Sequence, residues 1–197
     1  DMNKLESGEI LLDKKPFDIC SLVEETVAVI EGQTGEKSLT LHKEVVPVEH
    51  DHVIGSPLHV RQILQNILGN AVRYNKVGGD IFLTVREASC DGETVLYEFT
   101  VRDTGVGMSR EFQKRAFEPF AQENSSARSS YAGTGLGLAI VKELVEKMDG
   151  TINLSSVKGE GTTFVITLPF AIDNDVQEEE HEEAGDCSID GVRVLLV

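Results

Sequence analysis

The 197-residue chain has no tryptophan, only 3 tyrosines and 8 phenylalanines, and few cations: 18 Lys plus Arg stand against 34 Asp plus Glu, a formal charge of −16. With so few large aromatics, a 40% apolar fraction must build its core from aliphatic side chains, which suits one modest domain with short appendages. The shortage of cations excludes a face that neutralises duplex phosphates or an anionic bilayer. Neither nucleic acid nor membrane is an expected partner, and any anionic ligand must be held by local chemistry. No run approaches the roughly 18 consecutive apolar residues of a membrane span, and the opening Asp-Met-Asn-Lys-Leu-Glu lacks a signal peptide's basic-then-apolar order. A soluble piece of a larger protein is expected. Cysteine is sparse too: Cys20, Cys90 and Cys187 lie far apart in unlike contexts, which argues against a disulfide framework or a zinc site and for a reducing cytosol.

The acidic residues that are present cluster. Residues 173–186 hold 8 carboxylates and no Lys or Arg, half of the excess negative charge. Such a self-repelling, aromatic-free stretch cannot bury enough surface to offset its ordering entropy and reads as a flexible linker over 171–190. Beyond it, residues 191–197 read as the first strand of a further, truncated domain. Residues 1–8, closed by Gly8, read as the C-terminal end of a truncated helix. The body is then expected over 9–170.

Within the body, Asp18 is placed to cap a helix over 18–31 whose apolar residues Leu22, Val23, Val27 and Ile30 recur at three and four. Gly32 to Gly35 predict a turn, and Leu39, Leu41 and Val45 a strand ending before Pro47. After a short strand at Val53-Ile54, Ser56-Pro57 reads as a cap with proline at the first helical position, opening the strongest apolar stripe of the chain, from Val60 to Val72. Runs 81–87 and 94–102 alternate around Asp91-Gly92 as an antiparallel pair. A last helix is expected over 135–149, closed by Gly150, then strands 151–157 and 162–168. Helices and mostly antiparallel strands are segregated, so the fold class is α+β, a two-layer sandwich.

Three motifs carry chemistry. Asn66 and Asn70 stack one turn apart on the second helix, clear of its apolar stripe, with Arg73 on the same side; a carboxamide oxygen ligates a hard cation and its NH₂ donates to phosphate. Asp103-x-Gly105-x-Gly107 lies at a strand exit, where a carboxylate can accept from an exocyclic amine such as adenine's and the glycines permit tight backbone. Gly133-Thr134-Gly135-Leu136-Gly137-Leu138 runs into the last helix, whose free amides favour a phosphate chain. It follows neither the dinucleotide nor the P-loop order. Between the last two motifs a segment of about 25 residues, its first part 109–120 expected helical, reads as a lid. Phe117 and Phe120 flank its Pro119. Taken singly, each motif also fits an ordinary surface helix, an Asx turn or glycine-mediated packing.

In this order the motifs resemble the N, G1, F and G2 boxes of two-component histidine kinases of the hybrid type, whose catalytic domain is of the Bergerat, or GHKL, ATPase fold: a mixed sheet covered on one face by three helices. The resemblance covers residues 1–170. It implies ATP and Mg²⁺ as ligands, with Asn66 and Asn70 on the metal, Arg73 assisting at the phosphates, Tyr74 near the nucleotide edge and Asp103 on the adenine amino group. It further implies that Gly105 and Gly107 shape the wall, that Gly133, Thr134, Gly135, Leu136 and Gly137 close over the triphosphate, and that the lid's Arg128 meets the γ-phosphate. Two departures stand out: Ser129 and Ser130 replace basic residues common before the last box, and Ser56 replaces an Asp common at the helix start.

The phosphoryl acceptor that the resemblance implies, a histidine on a dimerising helical hairpin with an acidic base beside it, is missing. Of the 5 histidines, His50-Asp51 and His181-Glu182 precede an acid, yet neither lies in an amphipathic helix, and all read as solvated surface groups. The parent is expected to be a homodimeric hybrid sensor kinase with a receiver domain, its anchorage to a membrane left open. The chain alone is expected to be a cytoplasmic monomer that binds Mg-ATP without autophosphorylating. The alternatives are an ATP-hydrolysing relative or a non-catalytic binding module. The second helix carries no acidic residue to activate water, which favours the kinase.

Overall fold

The structure is a computed structural model and describes residues 11–123 and 134–174. The helix end at 1–8, Arg128, Gly133, the acidic segment from 175 onward and the strand at 191–197 lie outside the described residues.

A strand β1 (Lys15–Asp18) leads into α1 (Ile19–Thr34), where the Asp18 carboxylate accepts the Ser21 amide at 2.8 Å and Ile19, Leu22, Val23, Val27 and Ile30 are buried. The helix passes through the expected turn at Gly32, an exposed position where glycine's helical cost of about 1 kcal/mol is tolerated. It ends in a 3₁₀ turn (Gly35–Lys37) closed by left-handed Ser38. Strands β2 (Thr40–Val45) and β3 (His52–Gly55) precede α2 (Pro57–Arg73). Pro57 opens that helix as expected, but Ser56 does not cap it through its side chain: the hydroxyl is bonded to His59 Nδ1 at 2.7 Å, and the ring competes successfully for it. At the other end, Lys37 Nζ donates to the carbonyls of Val72, Arg73 and Asn75.

β4 (Asp80–Cys90) and β5 (Thr94–Asp103) form the expected hairpin, its turn held by the Asp91 carboxylate accepting the Glu93 and Thr94 amides. The segment 109–120 is helical only over α3 (Arg110–Gln113) and continues as turns. It has no apolar stripe to bury, Ala116 alone being enclosed. α4 (Gly137–Lys147) is shorter than expected, and the left-handed residue after it is Asp149, not Gly150. Gly150 serves packing instead, since a Cβ there would overlap the Thr167 carbonyl of the sheet.

β6 (Thr151–Val157) and β7 (Gly161–Ile172) complete the sheet, with order β1-β3-β7-β5-β4-β2 and β6 also on β7. Only β2 and β4 run parallel, so the sheet is mixed and mostly antiparallel. One face is buried: Ile81, Leu83 and Val85 of β4, Val95, Tyr97, Phe99 and Val101 of β5, and Phe164, Ile166 and Leu168 of β7 pack under α1, α2 and α4. The other face is half-exposed, with His42 stacked on Phe82 at 4.6 Å. This is the α+β two-layer architecture expected, with three covering helices. β7 runs past the expected boundary at Phe170, and buried Asp173 donates its amide to His52, so the body extends to Asp173.

Candidate functional site

Between α2, the β5 exit, α3 and the start of α4 lies a cavity of about 560 Å³, within the range of about 300–1,000 Å³ usual for small-ligand sites. Asn66, Asn70, Arg73 and Tyr74 line it from α2, Asp103 and Gly107 from the strand exit, and Thr134, Gly135 and Gly137 from the third motif. Segments separated by more than 60 residues thus meet around one space.

Asp103 sits at the edge of the core, 8% exposed, where β5 pairs with Ile81 of β4 and Thr162 of β7. Its Oδ1 accepts the Gly105 amide at 2.8 Å. Burial pushes its carboxyl above the ordinary value of 3.8, although the Gly105 and Thr162 amides and Lys76 pull the other way. The loop after it is held on every side. Thr104 donates its amide to Asp80, Val106 to the Tyr74 carbonyl that ends α2, and Met108 to the Ser156 hydroxyl. Gly107, at φ +61, lies so close to β6 that a Cβ would overlap the Val157 carbonyl. Such a loop has fixed walls before any ligand arrives.

On α2, the Asn66 NH₂ donates to the Gln62 carbonyl at 3.0 Å, which turns its Oδ1 away from the helix axis. That oxygen lies 3.1 Å from where a Cβ on Gly137 would stand. Glycine at 137 therefore lets the first turn of α4 approach the Asn66 oxygen. The first bond of the helix is donated by the Ile140 amide to the Leu136 carbonyl, so the amides of residues 137–139 have no partner within the helix, and Gly137 and Leu138 border the cavity. An acceptor oxygen, an amide-rich helix terminus and the Arg73 guanidinium form one electropositive, oxygen-bearing wall.

Not every expected residue lines the cavity. Gly105 lies behind it, packed so closely against the Tyr74 carbonyl that no side chain fits, and Leu136 supplies the residue before α4. Phe117 is half-buried against the core, whereas Phe120 is 60% exposed at φ +63 and donates its amide to Gly135. Phe120 thereby braces the glycine turn through its backbone. The sequence reading missed Gln65 and Gly69, although both lie on the same ridge of α2, and Thr162, the register partner of Asp103. It missed Lys158, paired with Glu123 at 2.8 Å across the cavity mouth, because nothing local marks a turn lysine as facing a site.

A family profile described as "Histidine kinase-, DNA gyrase B-, and HSP90-like ATPase" matches residues 55–172. Signal transduction histidine-protein kinase BarA of Escherichia coli (strain K12) is 35% identical over 164 residues, 83% of this chain and 18% of that protein. Sensor protein GacS of Pseudomonas syringae pv. syringae is 32% identical over 197 residues, 100% of this chain and 21% of that protein. The chain thus spans about a fifth of the length of these curated relatives. Among solved structures, full-length ShkA in complex with AMPPNP superposes with a TM-score of 0.70 at 32% identity, over 83% of this chain and 32% of that one. The mycobacterial sensor histidine kinase MprB, at 24% identity and a TM-score of 0.65 over 81% of this chain and 99% of that one, shares the fold.

Proposed function

The chain belongs to the histidine kinase-, DNA gyrase B- and HSP90-like ATPase family, and on that premise we propose that it is the catalytic domain of a sensor histidine kinase. In this reading it binds Mg-ATP and passes the γ-phosphoryl group to a histidine on a separate dimerisation hairpin. The observation that carries the reading is the convergence of the three motifs on one cavity. The complex of ShkA with AMPPNP supports an adenine nucleotide as the occupant.

Asp103 accepts the adenine amino group, and the fixed loop 104–108 excludes a larger or wrongly hydrogen-bonded base. The phosphates lie along α2 toward the first turn of α4. The residues fit a magnesium ion: two carboxamide oxygens, Asn66 and Asn70, are hard neutral ligands, and the NH₂ of Asn66 is already engaged, so its oxygen faces outward. Mg²⁺, when bound, supplies charge neutralisation for the phosphoryl oxygens. Arg73 adds a fixed positive charge, and the α4 amides hold the terminal phosphates in line for an acceptor. Arg128, outside the described residues, is a further candidate for the γ-phosphate.

Kinase chemistry is favoured over ATP hydrolysis because α2 carries no Asp or Glu over its whole length, so no base on it stands ready to activate water. The acceptor hairpin and a receiver domain are the partners proposed in the parent protein, with the hairpin supplying its dimer interface. Calorimetric titration with ATP in the presence and absence of Mg²⁺ tests the assignment. Binding is expected to weaken by about tenfold or more, or 1.4 kcal/mol, on removing the metal. The magnesium dependence is expected to shrink in Asn70→Ala. Equal affinity with and without the metal would overturn the site map.

A further inference from the structure

At the far end of β5 from Asp103, three unlike donors converge. His50 on the β2–β3 loop, Glu87 on β4 and Cys90 at the end of β4 each offer one ligand atom, all within 4.8 Å of one another. In a regular strand, residues 87 and 90 would face opposite sides. A bulge between Glu87 and Ser89 inserts one residue, so Glu87 stands opposite Tyr97 and Cys90 opposite Val95, both on the helix-side face.

His50 is held before any ligand binds. The Tyr97 hydroxyl donates to its carbonyl at 2.7 Å. The Glu87 carboxylate bonds its Nδ1 at 2.8 Å while accepting the Glu49 amide at 3.0 Å. Nε2 is thereby directed at the Cys90 sulfur, 4.0 Å away, and the Gly92 amide donates to the same sulfur at 3.3 Å. The His50 and Glu87 side chains are only 20% and 16% exposed, whereas Cys90 opens to solvent.

We propose that His50, Glu87 and Cys90 form a binding site for one borderline transition-metal cation of the Zn²⁺ class, ligated by Cys90 Sγ and His50 Nε2. The Glu87 carboxylate orients the ring by accepting its Nδ1–H, and water completes the coordination. Thiolate with imidazole selects such an ion over Mg²⁺ or Ca²⁺, and a carboxylate behind a ligating histidine fixes its tautomer. Zinc bonds of about 2.3 Å to sulfur and 2.0 Å to nitrogen place tetrahedral ligands roughly 3.5 Å apart. The observed separation closes to that by a small rotation of the exposed cysteine. None of the three residues borders the nucleotide cavity, and the nine residues along β5 from Val95 to Asp103 span roughly 26 Å. The ion would pin the hairpin end to the loop whose Asp51 carbonyl receives the Ile19 amide at the start of α1. Cysteine spacing argued against zinc because these donors come from two separate segments and meet only through the bulge.

Titration of the full chain with Co²⁺ tests the site, since a thiolate ligand gives a sulfur-to-cobalt charge-transfer band. The band is expected to vanish in Cys90→Ser, to require at least about tenfold more metal in His50→Gln, and to persist in Cys20→Ser, Cys187→Ser and His181→Gln. Equimolar Zn²⁺ is expected to protect Cys90 from alkylation, read by peptide mass. A band that survives Cys90→Ser or disappears with Cys187 or His181, or a Cys90 that alkylates equally fast with Zn²⁺ present, would overturn the proposal. Because Cys90 is exposed, its serine variant keeps the fold and the comparison stands.

Discussion

Burial acts on Asp103 in two opposed ways. It dries the carboxylate so that the hydrogen bond proposed from adenine counts for more than it would in water, and it raises the cost of carrying the charge, lifting the carboxyl above 3.8. A raised folded-state pKa means that the empty protein holds this proton more tightly than the unfolded chain, so the group's stability contribution is largest below pH 3.8 and is lost as pH rises through the folded value. Nucleotide binding is expected to run the other way, because the ionised form is the stronger, charge-assisted acceptor from an amine. Asp103→Asn is therefore expected to weaken Mg-ATP binding about tenfold or more at pH 7.5 while leaving the empty domain at least as stable. Calorimetry for binding and urea unfolding for stability check the two halves. The affinity ratio of wild type to variant is expected to shrink as pH falls toward 4.5, a comparison in which titration of the phosphates cancels. A ratio near one at pH 7.5 would remove Asp103 from the base site.

At the level of elements, the α1–α2 layer is latched by a contact that periodicity does not reveal. Lys37, in the turn after α1, donates to three carbonyls at the C-terminus of α2, satisfying orphan acceptors and complementing the negative end of the helix dipole. Desolvation there holds its ammonium below the ordinary 10.5. Lys37→Met is expected to cost about 1–3 kcal/mol in urea unfolding at neutral pH and to weaken nucleotide binding as well, since Arg73 and Tyr74 at that helix end border the cavity. A loss under about 0.3 kcal/mol would show the lysine to be ornamental. The apolar stripes of α1 and α2 and the Asp91-Gly92 hairpin were readable because their signals are local, and the Asn66, Asp103 and Gly135 motifs because their spacing is. Lys37, Thr162 and Lys158 were not, since each acts through a partner more than 30 residues away. The extent of 109–120 was misjudged for a different reason: capping by Ser109 started a helix that had no buried face to sustain it.

Across the whole molecule, the placement of the described histidines fits the proposed role of a phosphoryl donor whose acceptor is supplied separately. No described helix is long and apolar enough to cross a membrane. Every histidine among the described residues is engaged away from the cavity: His42 with Asp80, His50 with Glu87, His52 with Asp51 and His59 with Ser56. None of the four borders the space that would hold the phosphates. Phosphoryl transfer is chiefly a matter of positioning and electrostatic stabilisation, so the proposed nucleotide site, toward which no described histidine faces, is expected to keep its ligand without carrying out the transfer. Incubation of the chain with γ-labelled ATP and Mg²⁺ is expected to leave it with less than about a few hundredths of a phosphoryl group per chain, whereas calorimetry under the same conditions shows a filled site. Adding a dimeric helical hairpin that carries an acceptor histidine is expected to produce acid-labile, base-stable label on the hairpin, at a rate that falls with Asp103→Asn or Asn70→Ala. Such dependence would tie the transferred phosphate to the cavity rather than to a contaminating kinase. Stoichiometric acid-labile label on the isolated chain would instead locate an acceptor within it and overturn this separation of donor from acceptor.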